Sequence, residues 1–166
     1  MATAGRTIRQ GVIVGLIAFA SVALFYAAFD VLAARGTLYT VNLLGLAVFE
    51  GLRDPSVLQM PIAPNFTAIA YYSGLHLVLS LAIGLIVTGL VARAQQDPSQ
   101  ASFVLAVVVG GFVVTIAAVG VISEPIRPVL PWWSIVVANG AASACAGAYL
   151  MRVRPGIWRR LNPFMI

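Results

Sequence analysis

The chain has 166 residues, of which 61% are hydrophobic and 9% charged, against about 25% charged in an average soluble domain. A water-soluble fold of this length has no core large enough to hide so much apolar surface, so the composition predicts an all-α integral membrane protein. The basic residues, all arginine, outnumber the acidic ones and give a net charge of +5. They lie outside the long apolar runs, a pattern that orients a chain in a bilayer rather than building a nucleic-acid face.

In chain order, Arg6 and Arg9 precede an apolar run over residues 11–33. With Ala33-Ala34 behind it this resembles a signal peptide, but it is far longer than a signal core of ~7–15 residues. It is expected to stay as the first span. The connection over residues 34–65 is itself partly apolar. Thr40 could cap a short helix within an interfacial segment at about residues 40–52, ending near Arg53-Asp54-Pro55. It is too short to cross a bilayer of roughly 20 helical residues and is placed at the outer interface or across the bundle mouth.

A second span is expected over residues 66–92, then a polar turn from Arg93 through Asp97-Pro98 to Gln100. The third covers residues 102–122. Ser123 to Pro131 follows, its prolines preventing helix continuation. Pro131 suits the first turn of the fourth span, residues 132–151. Trp132 and Trp133 come next, as amphipathic rings at an interface should. Arg152, Arg154, Trp158, Arg159 and Arg160 make an anchor for anionic lipid or an acidic partner. Cys145 is alone, so no intrachain disulfide can form. The expectation is one membrane domain over residues 1–166, a four-transmembrane-helix bundle with a short interfacial helix between spans one and two.

Charge sets the orientation. With four spans, Arg6, Arg9, Arg93, Arg152, Arg154, Arg159 and Arg160 share one side, and Arg35, Arg53 and Arg127 the other. The heavier side is expected in the cytoplasm, with both termini. A fifth crossing would send the arginine-rich C-terminus outward and lose this asymmetry. Arginine-only usage beside abundant Ala and Gly suggests a bacterial inner membrane.

At about 1.5 Å per residue, Tyr26, Asp30, Tyr71, Tyr72, His76, Thr115 and Asn139 all fall in the outer half of the bundle. The inner half is almost purely aliphatic. His76, roughly 15 Å deep, is the intramembrane ionisable residue to test. It could ligate a haem or chlorophyll-type pigment or bond a quinone head group. The plainer reading is a histidine that donates to a backbone carbonyl or to Asn139. No cofactor is required by the sequence, and a bis-histidine haem site would need a second histidine. Asp30, near a helix end, is expected to be wet. Small residues recur every fourth position at Ser80, Gly84 and Thr88, at Ala106 and Gly110, and at Gly140, Ala144 and Ala148. Such rows let helix backbones approach within the chain or between subunits.

No span contains proline, and none carries Arg, Lys or Glu in its middle, so broken-helix transport sites and charged relays are missing. Hydrolase, zinc-protease, phosphate-loop and dinucleotide motifs are also absent, and catalysis is not expected. Asn65-Phe66-Thr67 fits a glycosylation sequon that has no meaning in a bacterial setting.

The run Thr37-Leu-Tyr-Thr40-Val-Asn-Leu-Leu-Gly45-Leu-Ala-Val-Phe49 after a first span resembles that of small uncharacterised four-span bacterial inner-membrane proteins. Tyr72-Ser-Gly-Leu-His76 and the Pro131-Trp132-Trp133 entry to the last span carry the same resemblance. It implies the topology and no activity. The function expected is a non-catalytic accessory or structural subunit of a larger inner-membrane complex, with a respiratory or photosynthetic one as the preferred setting. Its partners are then the lipid bilayer and other membrane subunits, and no nucleic acid. A small oligomeric transporter or channel, and a haem- or quinone-binding redox subunit using His76, are the alternatives.

Overall fold

The structure, a computed structural model, describes residues 2–51 and 62–155. Trp158, Arg159 and Arg160, the Arg53-Asp54-Pro55 boundary and the end of the expected 40–52 segment lie outside them. The described residues fold into helices without strands: α1 (Ala2–Leu32), α2 (Tyr39–Phe49), α3 (Phe66–Gln96), α4 (Ala101–Ile122) and α5 (Trp132–Val153). Short 3₁₀ turns precede α4 and α5. α1, α3, α4 and α5 are each long and apolar enough to cross a membrane, while α2 is not.

Two helices outrun their apolar stretches. α1 starts at Ala2 and takes in Arg6 and Arg9, since arginine is a good helix former and nothing before residue 11 breaks the helix. α3 continues to Gln96, and its stop is set by Pro98, which forces Asp97 into an extended conformation (φ −129°, ψ 95°). The Asp97 side chain then accepts from the Ser99 N–H at 3.1 Å, the Ser99 hydroxyl at 2.6 Å and Gln100 Nε2 at 2.9 Å, which closes the turn. These bonds hold its carboxyl below the usual carboxylate range.

α1 is the central helix, packed along α3 on one side and α5 on the other. Its contact with α3 is backbone on backbone. A Cβ added at Gly84 would sit 2.5 Å from the Gly11 carbonyl oxygen and 2.5 Å from the Gly15 nitrogen. One added at Gly15 would meet the Ser80 carbonyl at 2.7 Å. Close approach of this kind supplies dense van der Waals contact where no water is present to drive association.

At the end where α1 begins and α5 stops, Arg154 ties the three helices together. Its Nε donates to Gln10 Oε1 at 2.8 Å, its Nη1 to Gln95 Oε1 at 2.8 Å and its Nη2 to Thr7 Oγ1 at 2.9 Å. Arg154 is thus half-buried and bonded rather than extended as a lipid anchor, because neutral side chains of α1 and α3 bond each of its three guanidinium nitrogens.

α4 is the exception. Its buried residues are Ala101 and Val104 at the start and Gly120 near the end, so the helix is held mainly at its two ends.

The crossing makes a direct prediction. Gly84→Ala should lower stability by ~1–3 kcal/mol, because the new methyl overlaps backbone that cannot step aside. Gly140→Ala, where the space is open, should be neutral or slightly stabilising through helix propensity. Thermal unfolding in detergent, followed by circular dichroism, compares the two; equal melting temperatures would remove the crossing as a stabilising contact.

The α2 end as candidate functional site

The core of the chain sits at one end rather than at mid-helix. Tyr39, Leu43 and Leu44 of α2 pack with Ile126, Leu130 and Ile135, which come from the α4–α5 connection and the start of α5. Tyr26 and Tyr72 border this cluster. α2 therefore lies across the bundle mouth and against the start of α3. A Cβ at Gly45 would fall 2.5 Å from the Ala68 carbonyl oxygen, so only glycine lets the two helices meet there.

Polar side chains fix α2 at both ends. Asp30, at the end of α1, is 1% exposed. It accepts the Thr40 N–H at 2.7 Å on Oδ2 and the Thr40 hydroxyl at 2.6 Å on Oδ1. An ionised carboxylate is acceptor-only, and here both oxygens are used. The expectation that Asp30 is wet is thus corrected: α2 folds back over it and needs an acceptor for its first-turn amides. Thr40 does not cap α2 with its own side chain; α2 begins one residue earlier, and Asp30 serves as the cap from another helix.

Arg35 links the α1–α2 turn to the far connection. Its Nη1 donates to the Val129 carbonyl at 2.8 Å, and its guanidinium lies 5.4 Å from the Tyr39 ring centre and 5.8 Å from that of Phe29. Burial pushes the Tyr39 phenol above its ordinary value, with Arg35 opposing. The phenol oxygen is buried and has no hydrogen-bond partner among the described residues.

Also in the first turn of α2, Asn42 Nδ2 donates to the Ala63 carbonyl at 3.2 Å, and the Asn65 N–H donates to Asn42 Oδ1 at 2.9 Å. Asn65 also caps α3, accepting the Ala68 N–H at 3.0 Å, and its Nδ2 donates to Glu50 Oε1 at 2.6 Å. The sequon position is therefore a structural joint.

The polar residues expected to share one site divide into separate groups. Asp30 belongs to the α2 latch. Tyr26 borders the α2 cluster together with Tyr72. Tyr72 leads to His76 at 6.3 Å between ring centres, and the Phe19 ring stands 5.1 Å from the imidazole. His76 is half-buried and makes no hydrogen bond to the described residues; in particular, Asn139 donates to Ile135 of its own helix at 2.8 Å instead. Thr115 likewise donates to Gly111 one turn back at 2.8 Å. Tyr71 is exposed, with its ring against Phe49 at 5.7 Å. No group of three or more His, Cys, Asp or Glu that could hold a metal occurs among the described residues.

Of the small-residue rows, Ser80, Gly84 and Thr88 are buried. Ala106, Gly110, Ala144 and Ala148 are exposed and Gly140 is half-buried, so these rows do not pack the chain's own helices. Trp132 lies on Gly120, whose added Cβ would meet the indole at 2.6 Å. Trp133 is exposed and stands edge-on to Phe29 at 5.7 Å. Arg152 is exposed at the opposite end.

No protein-family model, curated protein or solved structure matches this chain.

The latch is testable by a double-mutant cycle. Asp30→Asn and Thr40→Val should each destabilise the fold, with a coupling on the order of 1.5–3 kcal/mol, the size of hydrogen bonds to a charged group. Unfolding free energies in detergent measure it, and strict additivity would mean the two side chains do not act together.

Proposed function

We propose that the chain is a non-catalytic, accessory or structural subunit of a larger complex in a bacterial inner membrane. It crosses the membrane four times with both termini in the cytoplasm. The observation that carries this reading is the isolation of α4. Only 6% of its most apolar window is buried by the rest of the chain, and its small residues Ala106, Gly110 and Gly111 face outward. In lipid, small outward faces are where another helix can approach most closely. The Gly140, Ala144 and Ala148 face of α5 offers a second such surface.

A transport pathway has less support. The backbone contact of Gly11 and Gly15 with Ser80 and Gly84 leaves no room for water between α1 and α3 at that level, and the polar side chains near the α2 end are mostly satisfied locally. The second reading is a pigment- or quinone-binding subunit. It rests on His76, whose half-buried imidazole makes no hydrogen bond to the described residues.

Extraction of the tagged chain from its native membrane in mild detergent tests the first reading. Stoichiometric partners should persist through size exclusion, and Gly110→Leu on α4 should reduce their recovery several-fold while leaving the chain folded. A chain that runs alone would overturn it. A visible absorption band lost in His76→Ala would instead establish the second.

A further inference from the structure

α1 and α3 also border each other between the Gly11–Gly84 crossing and the end where α1 begins and α3 stops. They leave an open groove of about 370 Å³ lined by Ala4, Thr7, Ile8, Gly89, Ala92, Arg93 and Gln96. Ala4, Ile8, Gly89 and Ala92 form an apolar strip along it; Ile8 is 59% exposed, and Gly89 has nothing within 4 Å of where a Cβ would stand. Its mouth is polar. Arg93 and Gln96 are both exposed there.

Arg93 makes no salt bridge among the described residues, although Asp97 acts on it through space. Asp97, one turn on, is the nearest carboxylate by sequence, but its oxygens are turned to Ser99 and Gln100. The described residues show no ion pair or hydrogen bond from the Arg93 guanidinium. Asp97 is also the one acidic residue at this end among the described residues, beside Arg6, Arg9, Arg93, Arg152 and Arg154. A cation at the mouth of an apolar groove between two helices matches a molecule with an anionic head and a hydrocarbon tail. Free phosphate would leave the Ile8 and Gly89 surface unused.

We propose that this groove binds one anionic phospholipid, its phosphate at Arg93 and Gln96 and one acyl chain along Ile8, Gly89 and Ala92. The proposal rests on the placement of both termini at one headgroup layer of a bilayer, and not on membership of a larger complex. Basic recesses between membrane helices recognise anionic head groups through this pairing of charge and apolar track. Gly89 is the specificity element, since any side chain there would fill the track.

The experiment is native mass spectrometry of the full chain released from bilayer discs made of equal phosphatidylglycerol and phosphatidylcholine. One phosphatidylglycerol should be retained in preference to phosphatidylcholine. Arg93→Gln should weaken that preference about fivefold, the contribution of one arginine near a charged surface. Gly89→Leu should remove the adduct of either lipid. Arg9→Gln, an exposed arginine outside the groove, should leave it intact. Arg93 is exposed and Gly89 faces open space, so both variants keep the fold, and their helix content by circular dichroism checks this.

Unchanged preference in Arg93→Gln, an adduct that survives Gly89→Leu, or an equal loss in Arg9→Gln would overturn the groove as a site. A chain that does not enter the discs would overturn the bilayer placement, and the groove with it. That failure is read from incorporation, before any lipid is counted.

Discussion

Two helices that touch backbone to backbone cannot stay in contact along their whole length, and this constraint shapes the rest of the protein. Gly11 and Gly15 meet Ser80 and Gly84 with no side chain between them. Away from that point side chains stand between the helices, and the two ends are closed differently. On one side Arg154 reaches in from α5 and binds Thr7, Gln10 and Gln95. On the other, α2 and the α4–α5 connection occupy the gap, which is why the apolar core lies at an end of the bundle.

Filling that second opening places Asp30 out of reach of water. A buried carboxylate is costly unless its oxygens are paired. Here the cost is offset because α2 brings an exposed first-turn amide and a hydroxyl to the same place. Each group solves the other's problem: the helix gains an acceptor, and the carboxylate gains two donors. Arg35 adds opposite charge nearby and ties the turn to Val129. The short helix is thus a structural stopper across the bundle mouth, the second of its two expected placements.

The spans were legible because long apolar runs have few alternatives, and the α2 helix because its apolar stretch is bounded by turn residues. Their ends were less so, since helix formers such as Arg6 and Gln96 extend a helix past its apolar limits. The Ser80–Gly84–Thr88 spacing and the Gly140–Ala144–Ala148 spacing look alike in sequence. What separates them is the opposing surface: Gly11 and Gly15 stand against the first, whereas in the second Ala144 and Ala148 are exposed and no described residue comes within 4 Å of a Cβ at Gly140. Spacing identifies a face that could pack closely, but not its partner. The same limit hid the Asp30–Thr40 and Asn42–Asn65 pairs, which meet only after the chain turns back on itself. Arg154 looked like an anchor because its acceptors Gln10 and Gln95 lie on other helices, far along the chain. His76 was legible as an unusual residue, whereas its aromatic neighbours Phe19 and Tyr72 carry no sequence signal distinct from ordinary apolar packing.

The same reasoning sets α4 apart. α1 and α3 share a backbone contact, α5 packs along α1, and Arg154 clamps all three, while α4 is joined through a short Asp97–Gln100 turn and by Trp132 resting on Gly120. Removing neighbours from α4's long middle would cost the remaining helices little, because they do not depend on it. Among the described residues α4 meets the core cluster through Ile116 and Val119 toward its end, so its earlier stretch can take neighbours from outside without disturbing the fold. That separation is what a proposed accessory subunit requires: three helices and a stopper to hold its own shape, and one helix available to others.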